Sequence, residues 1–165
     1  MIFVTVGTHE QQFNRLIKFI DEFKLNNKIK DEIIIQSGYS TYYPQYCKSN
    51  NLFSYDDMVK YVNEARIVIT HGGPASFIMA IQNGKIPVVV PRKKIFGEHV
   101  NDHQVDFVKL VYERQRNIIP VFDIEQISDI VINYDDIISN MSSLQTSNNM
   151  QFNKEFSLII NSIFK

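Results

Sequence analysis

Several strand-like runs in this chain are apolar from end to end rather than on alternate residues, and that restricts it to few folds. Residues 2–6 (Ile-Phe-Val-Thr-Val) form one such run, and 32–36, 66–70, 86–90 and 118–121 form others. A strand without a polar face needs cover on both sides, which is the condition of a parallel sheet in an α/β protein. Between the runs, apolar residues return at helical spacing. Phe13, Leu16, Ile17, Ile20 and Phe23 follow the first run, and Met58, Val59 and Val62 follow a short strand expected at Leu52-Phe53. Asp56 and Asp57 suit the first turn of that second helix, where carboxylates meet the positive end of the dipole. Further helices are expected at 74–82, opened by Pro74 and closed at Asn83-Gly84, at 102–114, and around Ile124, Ile127 and Val131. Strands alternating with helices predict an α/β fold, a Rossmann-like parallel sheet with helices on both faces.

The chain has 165 residues, enough for one such domain and too few for two. Seventeen basic and eighteen acidic residues leave a net charge of −1, so no nucleic-acid partner is expected to be held by bulk charge. With one cysteine, Cys47, neither a disulfide framework nor a cysteine-rich zinc site can form. An intracellular compartment and an inert Cys47 are the expectation. The first residues read as a buried strand rather than a signal peptide, and no run of about eighteen apolar residues suggests a membrane span. Residues 139–151 are rich in Ser, Asn and Gln and read as a polar linker. Beyond them Phe152, Phe156, Ile159, Ile160 and Ile163 make one stripe of a terminal amphipathic helix. The expected organisation is a domain over 1–138, a linker over 139–151 and a helix over 152–165.

In an open parallel sheet, ligands bind beyond the carboxyl ends of the strands. Gly7, Gly38, Gly72, Gly73 and Gly97 all lie in loops that follow strands. The sharpest segment is Thr70-His71-Gly72-Gly73-Pro74-Ala75-Ser76, where two glycines and a helix start offer N–H groups and partial positive charge to a diphosphate. It is neither a Gly-x-Gly-x-x-Gly fingerprint nor a Walker loop. A second segment runs Pro91-Arg92-Lys93-Lys94-Ile95-Phe96-Gly97-Glu98-His99-Val100-Asn101-Asp102-His103-Gln104. Residue by residue it reads as a basic loop and a helix cap at Asn101 or Asp102. His71, His99 and His103 raise the question of a metal, yet the H-E-x-x-H pattern is missing and His99 would precede the helix, so no metal site is expected. His9, after the first strand, suits phosphate contact or catalysis, or simply a hydrogen-bonded loop.

Taken in order, Val4-Thr5-Val6-Gly7-Thr8-His9-Glu10, His71-Gly72-Gly73-Pro74-Ala75-Ser76, the 87–92 run and Gly97-Glu98-His99-Val100-Asn101-Asp102-His103-Gln104 closely resemble one family. It comprises the donor-binding subunits of two-part glycosyltransferases in bacterial capsule and exopolysaccharide synthesis. These are similar to the C-terminal half of a family 28, GT-B-fold transferase. Relatives include the enzyme that makes lipid II and the cytosolic subunit of the eukaryotic transferase that adds the second N-acetylglucosamine to dolichol-linked sugars. The likeness covers residues 1–120 or so.

The resemblance implies one half of a GT-B fold that binds a UDP-sugar and needs no cofactor. The sugar would pass, with inversion, to a lipid-diphosphate-linked acceptor presented by a membrane-anchored partner subunit. The chain would then lie at the inner face of the cell membrane through that partner. Gly7, Thr8, His9, Gly72, Gly73, Pro74 and Ser76 are implied around the diphosphate, with Arg92 neutralising phosphate charge. Asn101, Asp102 and Gln104 are implied near the donor sugar, and His71 and His103 as catalytic candidates. Relatives carry a carboxylate on the helix after the glycine turn, three residues beyond the Ser/Thr, for the ribose hydroxyls. Here that position is Met79, and Glu98 is the candidate to supply the contact instead. The alternative is a subunit that binds nucleotide sugar and stabilises its partner without catalytic groups.

Overall fold

The computed structural model describes residues 1–26 and 29–144, with the side chains of 142–144 left aside. Six parallel strands make one sheet: β1 (Ile2–Thr5), β2 (Ile33–Gln36), β3 (Lys48–Asn50), β4 (Ile67–His71), β5 (Val88–Val90) and β6 (Ile119–Pro120). Their order across the sheet is β3-β2-β1-β4-β5-β6, a doubly wound arrangement whose direction of winding reverses between β1 and β4. Helices α1 (Asn14–Leu25), α2 (Tyr55–Glu64), α3 (Pro74–Gln82), α4 (His103–Gln115) and α5 (Gln126–Ile132) follow β1, β3, β4, β5 and β6, while β2 leads to β3 without a helix. The Rossmann-like expectation holds.

Burial on both faces follows from the uniform strands. Ile2, Phe3 and Val4 are consecutive and all buried, as are Ile67, Val68 and Ile69. On one face Phe3 and Val68 pack with Val62 and Ala65 of the α2 end and Ala80 of α3, while Val89 packs with Phe77 and Val108. Helix α2 starts at Ser54, whose hydroxyl accepts the Asp57 N–H at 3.1 Å, with Asp56 and Asp57 in the first turn as expected.

Two expectations change. The third strand is Lys48–Asn50 rather than Leu52-Phe53. As an exposed edge strand it lacks the apolar pattern that marks the others, and Phe53 instead packs its ring near Phe3 and Tyr61. The segment read as a linker from residue 139 is helical as far as Leu144, in α6 (Tyr134–Leu144). Ile137, Met141 and Leu144 recur at helical spacing, and Asp135 and Asp136 occupy the favourable first turn, so spacing overrides the polar composition. The rest of the expected linker and the helix over 152–165 lie outside the described residues. Met1–Tyr134 forms one compact unit; α6 belongs, apart from its first residue, to a second, Asp135–Lys165.

Candidate functional site

The reversal between β1 and β4 leaves a crevice at the carboxyl edge, where the two flanking chains leave in opposite directions. A cavity of about 550 Å³ sits there. Gly7, Thr8 and His9 after β1, His71 at the end of β4 with Gly73 to Ser76 beyond it, and His99, His103 and Gln104 line it together with Gln36, Phe53, Met58 and Met79, while Gly72 does not. The first loop and the glycine turn thus meet as expected, and Pro74 sets α3 to begin in the crevice.

His71 organises this meeting. Its Nδ1 accepts the Gly73 N–H at 3.0 Å and its Nε2 lies 2.9 Å from the Ser76 hydroxyl. Since Nδ1 is an acceptor, the neutral ring carries its proton on Nε2 and donates it to Ser76 Oγ. The Ser76 hydroxyl proton is then free for a ligand. Burial first, and the Arg92 charge second, hold His71 down to about 4, so the ring is neutral at pH 7.

The flanking glycines follow from this ring. A Cβ on Gly73 would lie 2.2 Å from His71 Cε1, and one on Gly7, which has φ +74°, would lie 2.3 Å from His71 Nε2. Both glycines make room for the imidazole, a packing reason beyond close approach to a ligand. Gly72 lies behind the turn, where a Cβ would meet Gln104 and Val108 at 3.1 Å. With both nitrogens engaged and its basicity lowered, His71 is a positioning residue and not the acid–base group.

The segment after β5 differs from its expected role. Arg92 is 0% exposed, and its guanidinium donates to the carbonyls of Gln11, Gln12, Glu98 and Val6 at 2.8–3.1 Å. It therefore ties the β1–α1 loop to the end of β5 instead of facing the crevice. Burial lowers Arg92 to about 10, which leaves it charged. Glu98, also 0% exposed, takes a two-pronged ion pair from Arg15 with both contacts at 2.9 Å and accepts the Lys93 N–H. No oxygen of Glu98 faces the cavity, so it supplies no ribose contact. Asp102 is exposed outside the lining and accepts the Lys94 N–H at 2.8 Å. Asn101 is likewise outside it, holding His103. Gln104 does reach the cavity, its Oε1 pinned by the Arg92 N–H at 3.1 Å.

All four histidines of the chain line this one cavity. The ring centroids of His9 and His99 are 4.7 Å apart, and those of His99 and His103 4.4 Å. Burial, then His103 and His9, lower His99. The Asn101 amide oxygen accepts the His103 backbone N–H and so must also accept from Nδ1, which leaves the His103 Nε2 lone pair unused. Among the described residues no three of His, Cys, Asp and Glu are placed to share a metal ion. Cys47 lies outside the cavity, and burial pushes its thiol up to about 12, as an inert thiol requires.

Gln36, Phe53 and Met58 escaped the sequence-based site. Gln36 is held by Thr5 Oγ1 and the Phe53 N–H, at 3.1 and 3.2 Å. Its position, last in a strand adjacent to β1, was the available signal. Phe53, Met58 and Met79 give the cavity an apolar side that no local motif announces.

No helix among the described residues is long and apolar enough to cross a membrane. The UDP-N-acetylglucosamine transferase subunit ALG13 of Homo sapiens is 29% identical over 121 residues, a match covering 68% of this chain and 10% of that protein. The solved glycotransferase of kitacinnamycin superposes with a TM-score of 0.55 at 13% identity, covering 94% of this chain and 42% of that one, a likeness of fold. The chain spans a small part of the first and under half of the second. A family model reaches further, since the glycosyltransferase family 28 C-terminal domain matches residues 1–163. On a match of that extent the chain belongs to this family.

Proposed function

We propose that this chain is the donor-binding part of a glycosyltransferase that takes a UDP-sugar and acts with a second polypeptide. The carrying observation is the crevice at the sheet reversal, where the Gly7-Thr8 loop, the Gly73 turn and the α3 start converge. The α3 N-terminus and the Ser76 hydroxyl there suit a diphosphate. The apolar side at Phe53, Met58 and Met79 suits the flat faces of a nucleoside.

In the transfer, an acceptor hydroxyl oxygen attacks the anomeric carbon from the face opposite the diphosphate. The bond from that carbon to the β-phosphate oxygen breaks, its electron pair leaves with UDP, and configuration inverts. His103, with Nε2 open, takes the hydroxyl proton, while the α3 N-terminus and the Ser76 hydroxyl meet the departing diphosphate. No metal step is needed in this scheme. The acceptor is a lipid-diphosphate-linked sugar held by a membrane-anchored partner, in capsule or exopolysaccharide synthesis at the cytoplasmic face. The ALG13 likeness supports a subunit of this kind.

A second reading has its own observation. No carboxylate lines the described cavity, so a base from the partner would leave this chain as a binding and stabilising subunit. Calorimetry with a panel of UDP-sugars tests donor binding, and no heat with any of them would defeat both readings. His103→Gln in the paired complex separates them: lost transfer with intact binding supports catalysis here, and unchanged transfer supports the second.

A further inference from the structure

Three of the four histidines share one local device. His9 Nδ1 accepts the Gln11 N–H at 3.2 Å, His71 Nδ1 the Gly73 N–H at 3.0 Å, and His99 Nδ1 the Asn101 N–H at 3.4 Å. In each the partner lies two residues on, within a loop that joins the carboxyl edge of the sheet to the next helix. A backbone N–H cannot accept, so a ring clamped in this way carries its proton on Nε2 while neutral, and protonating Nδ1 would break the clamp. His103 is opposite in sense, with Nδ1 donating to Asn101 and Nε2 open.

Charge points the same way. No lysine or arginine lines the cavity. The charged groups around the rings are otherwise engaged: Arg92 on backbone carbonyls, Glu98 on Arg15, and Asp102 on the Lys94 N–H. Glu10, beside His9, is exposed, and Asp106 lies in the first turn of α4. Rings 4.7 and 4.4 Å apart repel when charged, and the buried Arg92 adds to that repulsion at His99.

We propose that His9 and His99 bind the donor's phosphoryl oxygens as Nε2–H donors, held in that sense by their Nδ1 clamps. The site is then an anion site without a resident cation, using oriented N–H groups and the α3 dipole. His71 extends the same logic by one bond, since its Nε2–H sets the Ser76 hydroxyl to donate. The inference rests on the UDP-sugar reading for the ligand's identity, and on the clamps for the protonation pattern.

The test begins with the unaltered protein. Long-range proton–nitrogen NMR of the four imidazoles at pH 7.5 should show Nε2–H tautomers for His9, His71 and His99 and the Nδ1–H tautomer for His103. An Nδ1–H tautomer at His9 or His99 would overturn the proposal. Calorimetry with UDP-glucose follows. Because a glutamine amide places an uncharged N–H near the histidine Nε2 position, His9→Gln should stay within about threefold of the parent, while His9→Leu should weaken binding by about tenfold or more. Equal loss in the Gln and Leu variants would overturn the assignment. Sulfate, a dianion without a nucleoside, separates the two levels. Movement of the His9 and His99 resonances with sulfate but no heat with UDP-glucose retains the anion site and defeats the nucleotide reading; silence toward both defeats both.

Discussion

The loop after β4 and the loop after β5 both looked like ligand-binding segments, and they do different work. After β4, small residues crowd around an uncharged ring, which takes the Gly73 N–H and sets the Ser76 hydroxyl at the cavity. After β5, the residues with the strongest apparent affinity for phosphate turn inward: Arg92 grips four carbonyls and Glu98 grips Arg15. A buried guanidinium surrounded by loop carbonyls keeps those loops in register, because each carbonyl would otherwise be desolvated without a donor. The lesson is that charge in a binding loop is not by itself charge offered to the ligand. Here the charged residues of the β5 loop build the frame, and the small residues of the β4 loop line the cavity.

The largest effect that could break this contrast is at Arg92. Arg92→Met should destabilise the domain by about 3–5 kcal/mol, since it leaves carbonyls of two loops buried and unpaired. Denaturant unfolding measures it; a fully stable variant that has lost only UDP-glucose affinity would restore Arg92 to the phosphate. Next comes pH. His71 is held to about 4 against an unfolded value of about 6.5, so between these values the unfolded chain binds the extra proton and stability rises with pH. The contribution is complete above pH 6.5 and is lost as pH falls toward 4, by at most about 3 kcal/mol. The difference between parent and His71→Gln across pH 4 to 7 isolates it, and parallel curves would refute it.

Gly73→Ala sharpens the contrast from the ligand side. Its methyl must displace the His71 ring, so about 1–3 kcal/mol of stability and at least about tenfold in UDP-glucose affinity should go. Adding His71→Ala should recover part of the stability, a non-additivity that a double-mutant cycle reads directly. Independent, additive losses would mean that the glycine serves something other than the ring. The smallest effect belongs to Asp102. Asp102→Ala removes an exposed acceptor for the Lys94 N–H, so stability should fall by less than about 1 kcal/mol with donor affinity unchanged. A marked loss of affinity would place that carboxylate on the sugar after all.

Much of this was legible in the residues. Uniformly apolar strands announce a sheet covered on both faces, and Pro74 with Asn83-Gly84 marks α3. The glycine turn and the Gly7 loop were located as site elements because loops after parallel strands converge on one edge. What local pattern cannot carry is the direction in which a side chain turns. Arg92 and Glu98 read as donor contacts because their partners, Val6, Gln11 and Arg15, are more than seventy residues away in sequence. The β3 strand was missed because an exposed edge needs no apolar residues, and Phe53 was free to serve the cavity. The His71 clamp was invisible as well, although the spacing of two between each clamped histidine and its N–H recurs three times.

The division of labour between the two loops can be read in one titration. Backbone and arginine side-chain proton–nitrogen spectra of the domain, followed as UDP-glucose is added, report each N–H separately. The account predicts the largest shifts at Gly7, Thr8, Gly73 and Ser76, with the Arg92 guanidinium and the Lys93 and Lys94 amides nearly still. Shifts concentrated at Arg92, Lys93 and Lys94, with the glycine turns silent, would contradict it.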